Sequence, residues 1–559
     1  MFRARTSPER AGLPKVEGSD AMNTVLERRV AVPQLDPGRW LLAVPVALYA
    51  VLVMPFVFHD VVGEPDLERM VFGMIYGAAS GLHESAGYHY NLEVSFGYYA
   101  ALYHLLPRAV LLDSSALIAA VNFIGYASAI LAVAMLALYV ARLFGVVVAV
   151  TSCVLFAFSP VFLDLGTSGH PEVPGLALVL VSAWLLTHVT DTTVRGGYRL
   201  AAAVAAFVAM SAALTMRGDF VLAFPFLTLV AGDRELVSRA VWLRAAGQRV
   251  AVLLPAFALF LTIQQLYYRE PGGNAGFVAS FFATFYKADT IPRGLLVVVL
   301  CTGVASMLAF LWLICLRVAR ALPLVNTLAI LALALPSLAF WLPNSTPGRH
   351  LILVTLAVAL TIALLLGRAA RPQWAIPAAA LLVISNQAIA EVSHNTLERH
   401  YQWTFPLLTA RRATQSVPMG MFPLDHEAKQ ESFMLVRNEG RAFARSCNGH
   451  VLAFAEEPHY MMISLVESDP AMRFRTVEAG DTKVIQARGA RCSVDFVEKA
   501  AAWHRDALRE FLEAGYDNGW PIYFQESRRN PSDRTRVPDE RRYCLEGPAG
   551  GGCVPASPD

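Results

Sequence analysis

Charge is what this chain has least of. Only 16% of its 559 residues are Asp, Glu, Lys or Arg, against 55% hydrophobic, and the mean hydropathy is +0.46. A soluble domain carries about 25% charged residues, so the composition points instead to an integral membrane protein. Neither sign prevails: 46 basic and 44 acidic residues leave a net charge of +2, with no basic stripe for nucleic acid. Cysteine is sparse, seven in all, and no two are spaced CxxC, which argues against a zinc site. No internal repeat is visible, whereas transporters are commonly built from paired repeats. Residues 1–39 contain no short apolar core ahead of a small-residue cleavage site, so no cleaved signal peptide is expected.

What is present is a series of long apolar runs. A membrane-spanning helix needs roughly 17 to 25 mostly apolar residues. Eleven candidates stand near 40–58, 116–140, 144–163, 173–190, 199–216, 220–232, 250–268, 294–316, 321–341, 350–367 and 374–390, the sixth being short. The expected fold class is therefore a polytopic α-helical membrane protein with about eleven transmembrane helices. Arg142, Arg195, Arg199, Arg234, Arg239, Arg244, Arg249, Arg317, Arg320, Arg368 and Arg371 share the side of the N-terminus, which the positive-inside rule makes cytoplasmic. Three parts follow: a cytoplasmic segment 1–39, a transmembrane domain 40–390 with an exterior loop 59–115, and an exterior C-terminal domain 391–559. Arginine far outnumbers lysine, a composition that suits a GC-rich bacterial genome and hence the inner membrane.

The tail reads as a small α/β domain. Strand-length runs cover His450 to Phe454, Arg473 to Val477, Lys483 to Ala487, Ser493 to Val497 and Pro521 to Phe524, and Ala501 to Ala514 has a helical pattern. Its last thirty residues, rich in Arg, Pro and Gly, read as loop or disorder. Cys447, Cys492, Cys544 and Cys553 all fall in this tail, where disulfides persist, and three pairings are open.

The first exterior loop is the more informative region. In FHDVVGEPDLERMVFGMIYG, Asp60, Glu64, Asp66 and Glu68 precede an apolar helical face made by Leu67, Met70, Val71, Met74, Ile75, Ala78 and Leu82. Such a helix is expected to lie in the membrane interface, with Pro65 opening it and Glu64 capping it. A second amphipathic run, from Tyr98 to Leu106, suits headgroup depth. Asp66, in the first turn, is the leading candidate for orienting and partly deprotonating a hydroxyl; the alternative is a carboxylate that only caps the helix and meets its dipole. Asp60 and Glu64 are further candidates for substrate contact.

Other charges stand where an apolar chain should avoid them. The short loop SPVFLDLGTSGHPEVPG holds Asp164, His170 and Glu172 close to the outer face. Arg217 interrupts LTMRGDFVLAFPF, with Asp219 two residues on, and Arg349 and His350 open the tenth span in PNSTPGRHLILV. Exterior arginine breaks the positive-inside pattern, and an anionic headgroup that arginine grips bidentately gives it a reason. Pairing with Asp219, or snorkelling to lipid headgroups, would explain the same residues without a ligand. Lys287, in FYKADTIPR, is a weaker phosphate-contact candidate.

These segments resemble the membrane glycosyltransferases of the GT-C superfamily, which includes protein O-mannosyltransferases and aminoarabinose transferases. GEPDLERMVFG resembles their first-loop catalytic segment, with Asp66 in the catalytic position. Glu172 in SGHPEVPGLALVL matches a second-loop acid, and Arg217 in MRGDFVLAFP matches an arginine ahead of a short helix and proline. PGRHLIL resembles a P-x-R-Y segment, with His350 where Tyr is usual; an acid pair at Asp66 is absent, since Leu67 follows. The resemblance covers roughly residues 40–390. It implies an inverting transfer of a sugar from a polyprenyl-phosphate donor to a glycan, lipid or protein hydroxyl, with membrane lipid as surroundings. It also implies no cofactor, although paired exterior acids could bind a divalent metal. The competing readings are a lipid-linked sugar transporter or flippase, a polysaccharide polymerase or ligase, and a non-catalytic scaffold.

Overall fold

The computed structural model describes residues 40–57, 65–80, 97–232, 235–267, 291–315, 322–342, 348–368, 372–404, 437–455, 458–479, 482–498, 522–524, 542–546 and 552–555. The segments holding Asp60, Glu64, Lys287 and 501–514, and all of 1–39, lie outside the described residues.

The helices, in chain order, begin with α1 (Ala43–Val53), α2 (Pro65–Ser80), α3 (Gly97–Leu105), α4 (Ser114–Phe144), α5 (Val146–Ala157) and α6 (Pro160–Thr167). They continue with α7 (Glu172–Thr190), α8 (Gly196–Met216), α9 (Phe224–Leu229), α10 (Arg239–Tyr267), α11 (Ile291–Thr302) and α12 (Val304–Cys315). The last are α13 (Leu324–Trp341), α14 (Ile352–Gly367), α15 (Ala375–Thr404), α16 (437–446) and α17 (His459–Ser468). Among the described residues, six helices are long and apolar enough to cross a membrane, or eight when each of two bent pairs is taken as one span.

The difference from eleven straight spans has local causes. The expected span 144–163 is α5 and α6, bent by 68° at Ser159 and Pro160, because proline removes a backbone donor and disfavours helix in the residue before it. The expected span 294–316 is α11 and α12, bent by 100°. Its elbow is Gly303 at φ 94°, and a Cβ there would fall 2.4 Å from the Asn386 side chain. Asn386 on α15 accepts from the Ser306 N–H at 3.1 Å and donates to Ser306 Oγ at 2.7 Å, so a donor freed by the break is satisfied inside the protein. The short sixth run is a 3-10 turn, Gly218–Ala223, followed by α9. The greater rise of 3-10 geometry, about 2.0 Å per residue, lengthens its reach.

The bundle is stitched by its small residues. Helix α4 starts cleanly because the Asp113 carboxylate accepts from the Ser115 and Ala116 N–H groups, at 2.9 and 3.1 Å. Helices α7 and α8 approach closely along buried Ala206 and Ala213, and Ser182 Oγ donates to Ala206 O at 3.0 Å across the seam.

The tail forms a seven-stranded sheet of order β2-β3-β4-β1-β5-β6-β7. Its strands are β1 (Gly449–Ala455), β2 (Arg473–Ala479), β3 (Thr482–Arg488), β4 (Cys492–Glu498), β5 (Ile522–Phe524), β6 (Arg542–Glu546) and β7 (Gly552–Pro555). Strand β1 runs parallel to β4 and β5, and the other pairs are antiparallel. The five strands read from the sequence coincide with β1 to β5. Strands β6 and β7 stand in the terminal stretch read as loop, where Cys544 pairs in register with Cys553. Of the open pairings, Cys447–Cys492 is formed, joining the end of α16 to the start of β4.

The interfacial placement expected for α2 does not hold. Met70, Val71, Phe72, Met74, Ile75 and Tyr76 are buried in one core with Phe443, Tyr460, Met461 and Phe474 of the C-terminal domain. Protein covers that face instead of lipid, and each large apolar side chain so buried contributes about 1.5–3 kcal/mol. Tyr98, Tyr99 and Leu102 of α3 join the same core, as do Leu117, Ile118 and Val121 of α4.

Candidate active site

Three chain segments bring charge together at one end of the bundle. The first is the turn between α6 and α7. Gly169 sits at φ 62°, and a Cβ there would fall 2.5 Å from Val121 Cγ1 and 2.9 Å from the Val121 backbone, so only glycine lets the turn lie on α4. Gly125 of α4 completes the contact, since a Cβ on it would meet Gly169 Cα at 2.8 Å. His170 and Glu172 are thereby held in place, with Glu172 in the first turn of α7, where the helix dipole favours a carboxylate.

The second segment follows α8. Arg217 caps that helix in an extended conformation, and Phe220 three residues on packs over Gly175, where a Cβ would fall 2.4 Å from the Phe220 ring. The absence of a side chain at Gly175 lets Arg217 reach the start of α7. Arg217 Nη1 donates to Glu172 Oε1 at 2.6 Å. Its Nε and Nη2 grip Asp219 Oδ1 and Oδ2 at 3.1 and 2.8 Å, the bidentate arrangement that makes arginine–carboxylate pairs strong. Burial works against the Arg217 charge, but Asp219 and Glu172 outweigh it and raise its pKa above the usual arginine range.

The third segment is the 3-10 turn Gly348–Leu351 ahead of α14. His350 Nδ1 meets Arg217 Nη2, and the imidazole lies flat on Trp341 with ring centroids 4.0 Å apart and planes 6° from parallel. His350 Nδ1 is also 4.0 Å from Asp219 Oδ2. Arg349 Nε lies 3.4 Å from Glu172 Oε1, so one carboxylate oxygen serves two guanidinium groups.

Glu172 is 3% exposed, and its other oxygen is not used in the same way. Oε2 is buried with no hydrogen bond among the described residues, and His170 Nδ1 stands 3.8 Å from it. A buried carboxylate oxygen without a donor costs desolvation energy, about 1–3 kcal/mol or more for a charged group. A ligand hydroxyl or a water is the group that would satisfy it.

Glu172, His170, Arg217, Arg349 and His350 are thus brought together from 180 residues of sequence. Two members were not singled out as site residues: Asp219, visible only as a partner for Arg217, and Trp341, whose apolar span hid it. Asp66 stands at the second position of α2, in the layer packed against the C-terminal domain. That layer touches the charged cluster's supports: Met216, next to Arg217, packs on its core, and Val121 in that core carries Gly169. No group of three or more His, Cys, Asp and Glu residues suited to a metal ion occurs among the described residues.

No family profile and no curated protein sequence matches the chain. Solved structures do match. ArnT from Cupriavidus metallidurans bound to undecaprenyl phosphate aligns with a TM-score of 0.52 at 13% identity, over 93% of this chain and 98% of that one. The same protein in its apo state gives 0.51 at 12% identity, with the same coverage. The Archaeoglobus fulgidus oligosaccharyltransferase in its apo form gives 0.45 at 11% identity, over 78% of this chain and 64% of that one. The apolar helices and this likeness make the chain an integral membrane protein. Along nearly its whole length it shares the fold of that ArnT structure.

Proposed function

We propose that this protein is a membrane glycosyltransferase that moves a sugar from a polyprenyl-phosphate donor to an acceptor hydroxyl at the outer face of a bacterial inner membrane. The observation that carries the reading is the convergence of Arg217 and Arg349 on Glu172, whose second oxygen is buried without a donor among the described residues. The fold adds support, since ArnT, similar in fold over 93% of this chain, was solved with undecaprenyl phosphate bound. In this reading the chain crosses the membrane about eleven times, some crossings as broken helices. The N-terminal segment 1–39 is cytoplasmic, 40–390 is the transmembrane domain, and 391–559 is exterior.

Asp66 orients the acceptor and takes its hydroxyl proton as the oxygen attacks the anomeric carbon. The bond from that carbon to the phosphate oxygen breaks, the configuration inverts, and the lipid phosphate leaves as an anion. Arg349 and Arg217 stabilise the charge that develops on it. Glu172 and Asp219 hold the two guanidinium groups in register, and the free edge of Glu172, with His170, positions a sugar hydroxyl. His350, stacked on Trp341, fixes the far side of Arg217. Asp60, Glu64 and Lys287 are additional substrate contacts. No metal is required by this scheme. The acceptor is a glycan, a lipid or a protein.

The test is transfer of labelled sugar from a panel of polyprenyl-phosphate donors in membranes holding equal amounts of wild type or Asp66→Asn. Turnover that collapses in the variant identifies the donor and supports the reading. Equal turnover in both removes Asp66 from the reaction. Transbilayer movement of a labelled lipid without any transfer would replace the enzyme by a transporter.

A further inference from the structure

The C-terminal domain is fastened to the charged end of the helix bundle by three kinds of contact. The first is an aromatic wedge. Phe474 of β2 stands edge-on to Phe72 and Tyr76 of α2, with centroids 5.1 and 5.3 Å away and planes at 79° and 85°. Those two rings stack on each other at 5.6 Å, so the wedge meets a preformed aromatic face. The second is backbone capping. Strand β2 is the edge of the sheet among the described residues, and its Phe474 N–H donates to Tyr76 Oη at 3.3 Å. The third is polar. Glu467 Oε1 accepts from the Ser114 N–H at 3.0 Å, at the start of α4, and Arg437 donates to Ser114 Oγ at 3.3 Å and to Ser115 Oγ.

A tail that only tethered an acceptor would not need this. A flexible linker suffices for tethering, whereas here Met70, Val71, Phe72, Met74, Ile75 and Tyr76 of α2 share one core with the tail. The sheet is itself stiffened beside that contact: the Cys447–Cys492 disulfide locks α16 to β4, and Gly440 of α16 lies so close to α17 that a Cβ would meet Tyr460 O at 2.7 Å. The same core reaches Met216, the residue before Arg217, and Val121, on which the His170 turn rests. One apolar body therefore supports both the helix that begins with Pro65–Asp66 and the segments that carry the arginine–glutamate cluster.

We propose that the C-terminal domain is the jig that sets the loop helix α2 against the charged cluster, and that Phe474 is its main positioning residue. Phe474 touches no reacting group in this scheme; it acts through Phe72 and Tyr76 on the orientation of α2. The proposal rests on the role given above to Asp66. Its distinctive consequence is a loss of rate without a loss of donor binding, because a misplacement of about 1 Å can cost a hundredfold in turnover, while the arginine cluster stays intact.

The experiment uses the full-length protein in lipid nanodiscs, as wild type, Phe474→Ala, Phe474→Leu and Tyr76→Phe. Amide hydrogen exchange over residues 65–80 is read beside kcat and the donor KM for sugar transfer. The expected result for Phe474→Ala is at least tenfold faster exchange in α2 and a ten- to hundredfold lower kcat, at unchanged donor KM, with Phe474→Leu recovering most of both. Unchanged exchange in α2, or faster exchange at full kcat, overturns the proposal. If Phe474→Ala also loosens β3 and β4, the reading passes to Tyr76→Phe, which removes only the cap on the sheet edge. That variant is then expected to speed exchange in α2 and lower kcat severalfold, and no change in either overturns the proposal. Full turnover by Asp66→Asn would remove the catalytic role of Asp66, while the exchange data would still report whether Phe474 holds α2.

Discussion

The two ends of the helix bundle each bury an arginine–glutamate pair, and they use it differently. At the end away from the site, Arg249 of α10 is 2% exposed and both terminal nitrogens of its guanidinium are answered. Nη2 donates to both oxygens of Glu235, at 2.6 and 2.7 Å, and Nη1 donates to the carbonyls of Val230 and Thr228. Glu235 also accepts from Thr190 Oγ1 at 3.0 Å and from the Gly232 N–H at 3.4 Å. Asn326 seals the neighbouring turn by exchanging hydrogen bonds with the Ala231 backbone at 2.9 and 3.0 Å. At the site end, Glu172 Oε2 has no donor among the described residues, Arg349 Nε stands at 3.4 Å, and Asp219 is 20% exposed. A closed network is a lock that fixes α10 to the end of α7. An open one keeps strength in reserve for something that arrives later.

The contrast can be broken by substitution. Arg349→Ala is expected to lower transfer kcat by about a hundred- to a thousandfold, the usual cost of removing one group that stabilises developing charge, while thermal unfolding stays close to wild type. A Tm that falls in parallel with turnover would make the site end a second lock. Arg249→Met should do the opposite: it leaves Glu235 buried without its cation and costs about 3–5 kcal/mol of stability, read as a lower Tm, with turnover per folded molecule kept. Adding Glu235→Leu should restore most of that loss, since well-packed apolar residues commonly replace a buried pair. No rescue would mean the pair does more than close the bundle. Gly169→Ala places a Cβ on backbone already in the left-handed region, at about 1–3 kcal/mol of strain, and brings a collision with Val121. It should lower stability and turnover together, since the turn supports His170 and Glu172; loss of neither would show that α4 can yield. The smallest effect is ionic. Salt should raise the donor KM a few-fold at the partly open site while leaving the stability contributed by Arg249 and Glu235 unchanged, because screening acts weakly on buried pairs.

Much of this was legible in the sequence where charge is rare. Glu172, His170, Arg217, Arg349 and His350 stood out because each interrupts or borders an apolar run, and those five do meet in space. Strands β1 to β5 and helix α2 followed from periodicity of two and of three to four. The partner of α2 did not, because an apolar face at helical spacing looks the same whether it meets lipid or a folded domain. The elbow at Gly303 was written as one glycine inside a hydrophobic stretch, and its support, Asn386, lies 83 positions later. Arg249 read only as one more cytoplasmic arginine; nothing local to it names Glu235 as its partner. Strands β6 and β7 were hidden by arginine, proline and glycine around a short hairpin.

The close spacing of Arg217 and Asp219 also bears on how the site is made. A lone arginine near the apolar core costs about 2.5–3.5 kcal/mol on insertion scales. During synthesis α8 emerges long before residues 349–350, so neither Arg349 nor His350 is there to help hold the cluster. Asp219 is, two residues away and bound at both oxygens. The charge therefore enters the bilayer already escorted, as a near-neutral unit that has only to dock on Glu172. The last third of the chain then finds a net acidic landmark waiting for Arg349, and the site closes in the order in which the ribosome delivers it.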